Sequence, residues 1–103
     1  MSLYTVYVTR GALREIKDLP GQMRHRVKRA IDELANTPQP SDSKVVELPE
    51  ELGFDVTLCR LRLDKWRIVY AVTESQKIID VLAVRKRPPY DYGDLQALLS
   101  EIQ

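Results

Sequence analysis

Eight cations crowd residues 60–87: Arg60, Arg62, Lys65, Arg67, Lys77, Arg85, Lys86 and Arg87, against the acids Asp64, Glu74 and Asp80. Arg60 and Arg62 alternate on one side of Asp64-Lys65, and Arg67 follows on the other. Side chains two apart on a strand share a face, so this spacing puts several arginines on one patch of sheet. Directly opposed like charges destabilise a strand pair. A chain that keeps them has an anion to place there. A lone strand arginine serves solubility as often as binding, and it is the cluster that carries the argument. Arginine offers a planar, two-pronged match to phosphate, so the ligand class is the phosphate of a nucleic acid. Tyr90 and Tyr92 close the segment and could stack on a base.

The elements that must position these residues read as follows. Leu3 to Thr9 is a first strand, with Val6 and Val8 alternating against Tyr7 and Thr9. Ala12, Leu13, Ile16 and Leu19 recur at helical spacing and give a short helix ending at Leu19-Pro20. Pro20 can start the next helix, whose apolar stripe is Met23, Val27, Ala30, Ile31 and Leu34. Two helices with a minimal break make an αα-hairpin. Residues 37–43 are a breaker cluster, and Val45 to Leu48 is either a short strand or an extended approach.

Three strands follow, 55–63, 66–73 and 77–84, joined by short turns into an antiparallel meander. A two-residue turn at Asp64-Lys65 pairs Leu63 with Trp66 and Arg62 with Arg67. Cys59, Leu61, Leu63, Trp66, Ile68, Tyr70 and Val72 then face the core, while Leu58, Arg60, Arg62, Arg67, Val69 and Ala71 face outward. A three-residue turn at 74–76 adds Lys77, Ile79, Val81, Ala83 and Arg85 to the outward face; a two-residue turn reverses them. Asp91 could cap a last short helix holding Leu95, Leu98, Leu99 and Ile102. The fold class is α+β: an N-terminal strand, an αα-hairpin, a three-stranded antiparallel meander and a short C-terminal helix.

Composition narrows the function classes. The 103 residues suit one domain, 1–103, of ordinary globular make-up. One cysteine and one histidine exclude a disulfide, a cysteine zinc cluster and a two-imidazole nuclease. Cys59 reads as a small core residue, and His25 as an exposed neighbour of helical arginines. The acids Glu47, Glu50, Glu51 and Asp55 show no metal-ligand spacing, so neither a metal nor a cofactor is expected. No glycine-rich phosphate loop is present. No run approaches a membrane span and no leader pattern stands at the start, so the expected setting is the cytoplasm. The net charge of +1 hides a polarised molecule, and a local field suffices to steer a polyanion.

The segment Trp66-Arg67-Ile-Val-Tyr70, the apolar strand after it and Arg85-Lys86-Arg87 with tyrosines beyond resemble the RelE/ParE superfamily of bacterial toxins. Ala12-Leu13, and Leu34 with Pro38 at the end of the second helix, agree with it, so the resemblance spans nearly the whole chain. It implies the toxin of a type II toxin–antitoxin pair. In the RelE branch that toxin is a metal-independent, ribosome-dependent mRNA endoribonuclease acting in the ribosomal A site. A cognate antitoxin neutralises it and carries the pair to operator DNA. In the ParE branch the target is DNA gyrase and no RNA is cut.

Carried over by position, Arg67 and Arg87 match family arginines, and Arg60 stands where a strand lysine is common, with Arg62 two residues on. The implied catalytic set is Arg67, Arg87, Tyr90 and Tyr92; the implied substrate-binding set is Arg60, Arg62, Lys65, Arg85 and Lys86. Leu58 occupies the place of a second strand lysine, and Gly93 the nominal place of the tyrosine, with Tyr90 and Tyr92 nearby.

The chemistry would be in-line attack of an RNA 2′-OH on the adjacent phosphate, expelling the 5′-oxygen and leaving a cyclic phosphate. Arg62, Arg67 and Arg87 would stabilise the added charge. Arginine is too basic to act as the base. Tyr90 or Tyr92, lowered by nearby cations, would take the proton or stack on a base.

Overall fold

The alternation from Cys59 to Val72 gives a hairpin with one oily side, and the two helices cover that side. The computed structural model describes residues 3–46 and 56–86. In chain order these form β1 (Thr5–Val8), α1 (Arg10–Lys17), α2 (Gly21–Leu34), β2 (Ser43–Val45), β3 (Thr57–Leu63), β4 (Trp66–Thr73) and β5 (Ile78–Lys86). The expected C-terminal helix lies outside the described residues, as do Arg87, Tyr90, Tyr92 and the acids at 47–55.

The strands make one five-stranded sheet in the order β1-β5-β4-β3-β2. The three-stranded meander is its centre. β1 adds to one side, parallel to β5, and β2 to the other, antiparallel to β3. The strand near Val45 is thus Ser43–Val45, earlier than the expected 45–48, whose residues 47 and 48 lie outside the described residues, and it takes Ser43 from the expected loop; the sheet is wider by two strands than the meander alone.

Local chemistry explains the helices. Thr9 caps α1, its Oγ1 accepting from the Ala12 N–H at 3.2 Å. Arg14 and Lys17 occupy the last turn, where cations suit the helix dipole. Pro20 is the N-cap of α2, one residue earlier than the first turn. Ala12, Ile16, Leu19, Val27, Ile31 and Leu34 are buried against Cys59, Leu61, Ile68, Tyr70, Val72, Ile79, Val81 and Val84. Leu13 departs from the expected stripe and is 43% exposed. Tyr70 is fully buried, yet its hydroxyl is satisfied by the Pro38 carbonyl at 2.7 Å. That bond ties the loop after α2 to the sheet centre.

The opposite face holds a second apolar cluster: Leu58, Val69, Ala71, Leu82 and Ala83. Here the third strand of the meander departs from expectation. Thr73 pairs with Ile78, so residues 74–77 form the connection, with Lys77 in the left-handed region at φ 55°. That loop turns Ile79 and Val81 toward the helices, not toward the arginine face. A bulge then sets Val69 opposite Ala83 but Tyr70 opposite Val81, leaving Leu82 as the extra residue. The bulge reverses the parity again. Ala83 and Arg85 therefore reach the arginine face, although by a different route from a three-residue turn.

Candidate functional site

The β3–β4 hairpin closes at Asp64-Lys65 as expected, with Leu63 opposite Trp66 and Arg62 opposite Arg67. Asp64 adopts a left-handed conformation at φ 59°, which aspartate tolerates better than most residues. Arg67 is in turn opposite Arg85 on β5. Three arginines thus stand in a row across three adjacent strands. The next row along holds Lys44 opposite Arg60, with Val69 beyond. Past Val69 the face becomes the apolar cluster around Leu58.

The row relieves its own repulsion unevenly. Arg67 folds back onto its hairpin, one guanidinium nitrogen donating to the Asp64 carbonyl at 3.1 Å and the Trp66 carbonyl at 2.9 Å. Arg85 donates from Nε to Glu15 of α1 at 3.0 Å. Lys86 lies over the Trp66 ring, 5.4 Å from its centroid. Among the described residues, the side chains of Arg60, Arg62 and Lys65 have neither a hydrogen bond nor an ion pair, although the Arg62 backbone N–H donates to the Asp42 carbonyl at 3.1 Å.

An open depression of about 530 Å³ lies at this end of the sheet, lined by Arg62, Asp64, Lys65, Arg67 and Lys86. Four cations face one carboxylate. Asp64 is shared at 3.9 Å with Arg26 of α2, both largely exposed, so this contact is weak. The depression can hold a phosphate and stabilise charge that grows on it. It brings together the sequence candidates Arg62, Lys65, Arg67 and Lys86. Arg60 sits one row away, and Arg85, though opposite Arg67, is drawn to Glu15.

Other reactive groups lie elsewhere. Cys59 is buried, and burial pushes its thiol up, so it stays protonated within the core. Burial also raises the carboxyl of Asp80 on β5. Leu58 is 1% exposed, wholly within the second apolar cluster. Glu15 was invisible to sequence reasoning. The signal was an acid at the sixth residue past Thr9, which α1 carries to the edge of β5.

At the far end of the sheet a second cluster contrasts with this one. The Tyr4 hydroxyl donates to Glu74 at 2.8 Å, Lys77 approaches the same carboxylate at 3.6 Å, and Lys77 also lies 5.1 Å from the Tyr4 ring centroid. The Glu74 hydrogen bond, with burial added, raises the Tyr4 hydroxyl above the ordinary tyrosine range.

Comparison with known proteins follows the same lines. The family model of the ParE toxin of type II toxin–antitoxin system, parDE, matches residues 6–88. The archaeal RelE of the RelE–RelB complex from Pyrococcus horikoshii OT3 is 25% identical, with a TM-score of 0.72 over 85% of this chain and 99% of that one. A chain of the toxin–antitoxin complex RelBE2 from Mycobacterium tuberculosis shares the fold at 21% identity and TM-score 0.66, covering 82% and 98%. The intact RelBE toxin–antitoxin complex of E. coli gives 24% identity and TM-score 0.62, covering 84% and 99%. Among curated proteins, no sequence matches.

Proposed function

This chain belongs to the ParE toxin family of type II toxin–antitoxin systems, within the RelE/ParE superfamily, and from that premise we propose that its toxic act is RNA cleavage at the hairpin end of the sheet. One observation carries this reading. Arg62, Lys65, Arg67 and Lys86 converge on one open depression facing a single carboxylate, and two of them have no partner among the described residues. The matching ligand is a ribonucleotide phosphodiester of mRNA in the ribosomal A site. Its own 2′-OH supplies the nucleophile, so the protein has to align the chain and stabilise the charge that develops. Arg67 is already held in place by two carbonyls and is therefore preorganised. Arg62 and Lys65 are available to grip the flanking phosphates, with Arg60 one row behind. Arg87 and one of Tyr90 and Tyr92 complete the reaction. A cognate antitoxin would neutralise the toxin in the cytoplasm, as RelB is found bound to RelE in the structures above, and operator DNA would be reached only through it.

A second reading has its own support. The matching family model is that of ParE, and Leu58, where a proton-transferring lysine would stand, is buried among apolar side chains. A gyrase inhibitor needs no such lysine. The two readings separate in one experiment: translation in vitro with primer extension on the message, beside a gyrase supercoiling assay. Cleavage by the native protein, lost in Arg67→Ala with the fold intact by circular dichroism, is the expected result. Intact message together with inhibited supercoiling would overturn it in favour of the second reading.

A further inference from the structure

Arg62 lines two depressions. One is the basic depression at the hairpin end, and the other, of about 430 Å³, lies between β3 and the end of α2. The second lies where β2 begins. The β2–β3 pairing starts with Ser43 opposite Leu61, and just before it the Asp42 carbonyl accepts from the Arg62 N–H at 3.1 Å. The loop that walls the groove is pinned at several points. The Asn36 and Thr37 N–H groups donate to the Glu33 carbonyl, the Tyr70 hydroxyl to the Pro38 carbonyl, and the Ser43 hydroxyl to the Pro40 carbonyl. These bonds fix the walls before any ligand arrives.

The lining joins an apolar part, Leu61 and Leu63, to a polar part, Glu33, Asn36, Thr37 and Asp42. Among the described residues, none of these four polar side chains has a hydrogen bond or an ion pair. Arg62 is the one cation in the lining. The two acids therefore disfavour a phosphate here, while the neighbouring depression attracts it. An unstacked nucleobase has the matching character, apolar faces with a polar edge, and the volume suits a small-ligand site. An ionised carboxylate only accepts hydrogen bonds, so Glu33 and Asp42 match an exocyclic amine, as a carboxylate matches the N4 amine of cytosine. Uracil has no such amine and would set carbonyl oxygens against them. We propose that this groove is a base-binding subsite that takes a base with an exocyclic amine in preference to uracil, with Glu33 and Asp42 as its specificity-determining residues. The inference rests on the phosphate-binding reading of the basic depression: Arg62 holds a phosphate on one side, and the base beside that phosphate turns into the groove on the other.

The test compares oligo(C) with oligo(U) of equal length, bound to the whole protein at about 0.1 M salt, so that backbone charge is the same in both. The native protein is expected to bind oligo(C) about 5-fold tighter or more. The double variant Glu33→Ala with Asp42→Ala is expected to abolish that preference. Both residues are exposed, so the fold should survive, as circular dichroism checks. Each single variant is expected to lose part of the preference, and stands in for the pair if the double variant folds poorly. Acids that merely repel RNA, or that receive a cationic side chain of a protein partner, would give no native preference, and their removal would strengthen binding of both oligonucleotides alike. A native protein without the preference, or a preference that survives in the double variant, overturns the inference alone. Absence of salt-dependent binding of either oligonucleotide by the native protein overturns the phosphate reading and the inference together.

Discussion

The two ends of the central sheet use the same turn device and opposite electrostatics. At each end a non-glycine residue in the left-handed region closes the connection, Asp64 at one and Lys77 at the other. At the far end the charges satisfy one another, because Lys77, Glu74 and Tyr4 form a closed set. At the near end four cations share one carboxylate, and Arg67 can only turn to backbone carbonyls. The same chain that neutralises a lone lysine with a neighbouring glutamate leaves the side chains of Arg62 and Lys65 without an ion pair among the described residues. The imbalance is local, and on the proposed reading the near end is the place where charge is completed from outside.

If tolerance of cations were a general property of the open face, Leu58→Lys would be accepted. It should not be. Leu58 is 1% exposed beside Val69 and Ala83, so an ammonium there loses its hydration without gaining a partner. We expect a loss of about 3 kcal/mol, seen as a fall in thermal midpoint of roughly 15 °C. A protein that melts normally would show that the face admits cations anywhere, and the contrast between its rows would fail.

A smaller effect compares the ends directly. Arg62→Glu and Lys77→Glu change the net charge equally. Arg62→Glu should weaken oligoribonucleotide binding about 10-fold or more by filter binding at 0.15 M salt. Lys77→Glu, about the length of β4 away, should change it less than about 2-fold, because screening at that ionic strength acts over ~8 Å. Equal losses would mean that overall charge, not the near end, governs binding.

The smallest effect lies in the pH dependence of the far end. Tyr4 has its hydroxyl raised by Glu74, so the folded state holds this proton more tightly than the unfolded one. Its contribution to stability is complete below the ordinary tyrosine pKa, near 10, and is lost as pH climbs through the raised value. Tyr4→Phe should flatten the alkaline limb of stability in urea melts between pH 8 and 11. The flattening is partial, because burial raises the hydroxyl of Tyr70 as well. An unchanged limb would place the alkaline loss elsewhere.

Much of the near end was legible in the sequence, for reasons that can be named. Asp64-Lys65 is bracketed by strict alternation, and a one-residue slip would bury arginines, so register was fixed by burial alone. The far strand was not legible in the same way. Apart from Asp80, β5 is apolar on both faces from Ile78 to Val84, so alternation cannot tell one face from the other. Its connection was longer than expected, and the bulge at Leu82 that restored Arg85 to the row left no mark in residue type. β2 escaped a firm assignment because Ser43-Lys44-Val45 is short and largely polar. Arg67 stands out in the sequence by strand parity and by its match to a family arginine, but its two carbonyl bonds depend on hairpin geometry that residue type does not reveal. Glu15 was missed because an acid on an amphipathic helix ordinarily faces water.

The parallel pairing of β1 with β5 also governs the order in which the molecule can assemble. Thr5 pairs with Ile78, so the first strand of the chain waits for the last strand described here. During synthesis the backbone hydrogen bonds of α1 and α2 can form as soon as they emerge, since those bonds are local, but their buried faces wait for the sheet. The antiparallel hairpin follows. On a nascent chain the sheet cannot close before β5 has emerged, and until then Thr9 cannot meet Val81 nor Glu15 meet Val84. The row of arginines is thus complete only once β5 is present, and a nascent chain stopped before residue 78 holds Arg62 and Arg67 without the strand that completes their surface.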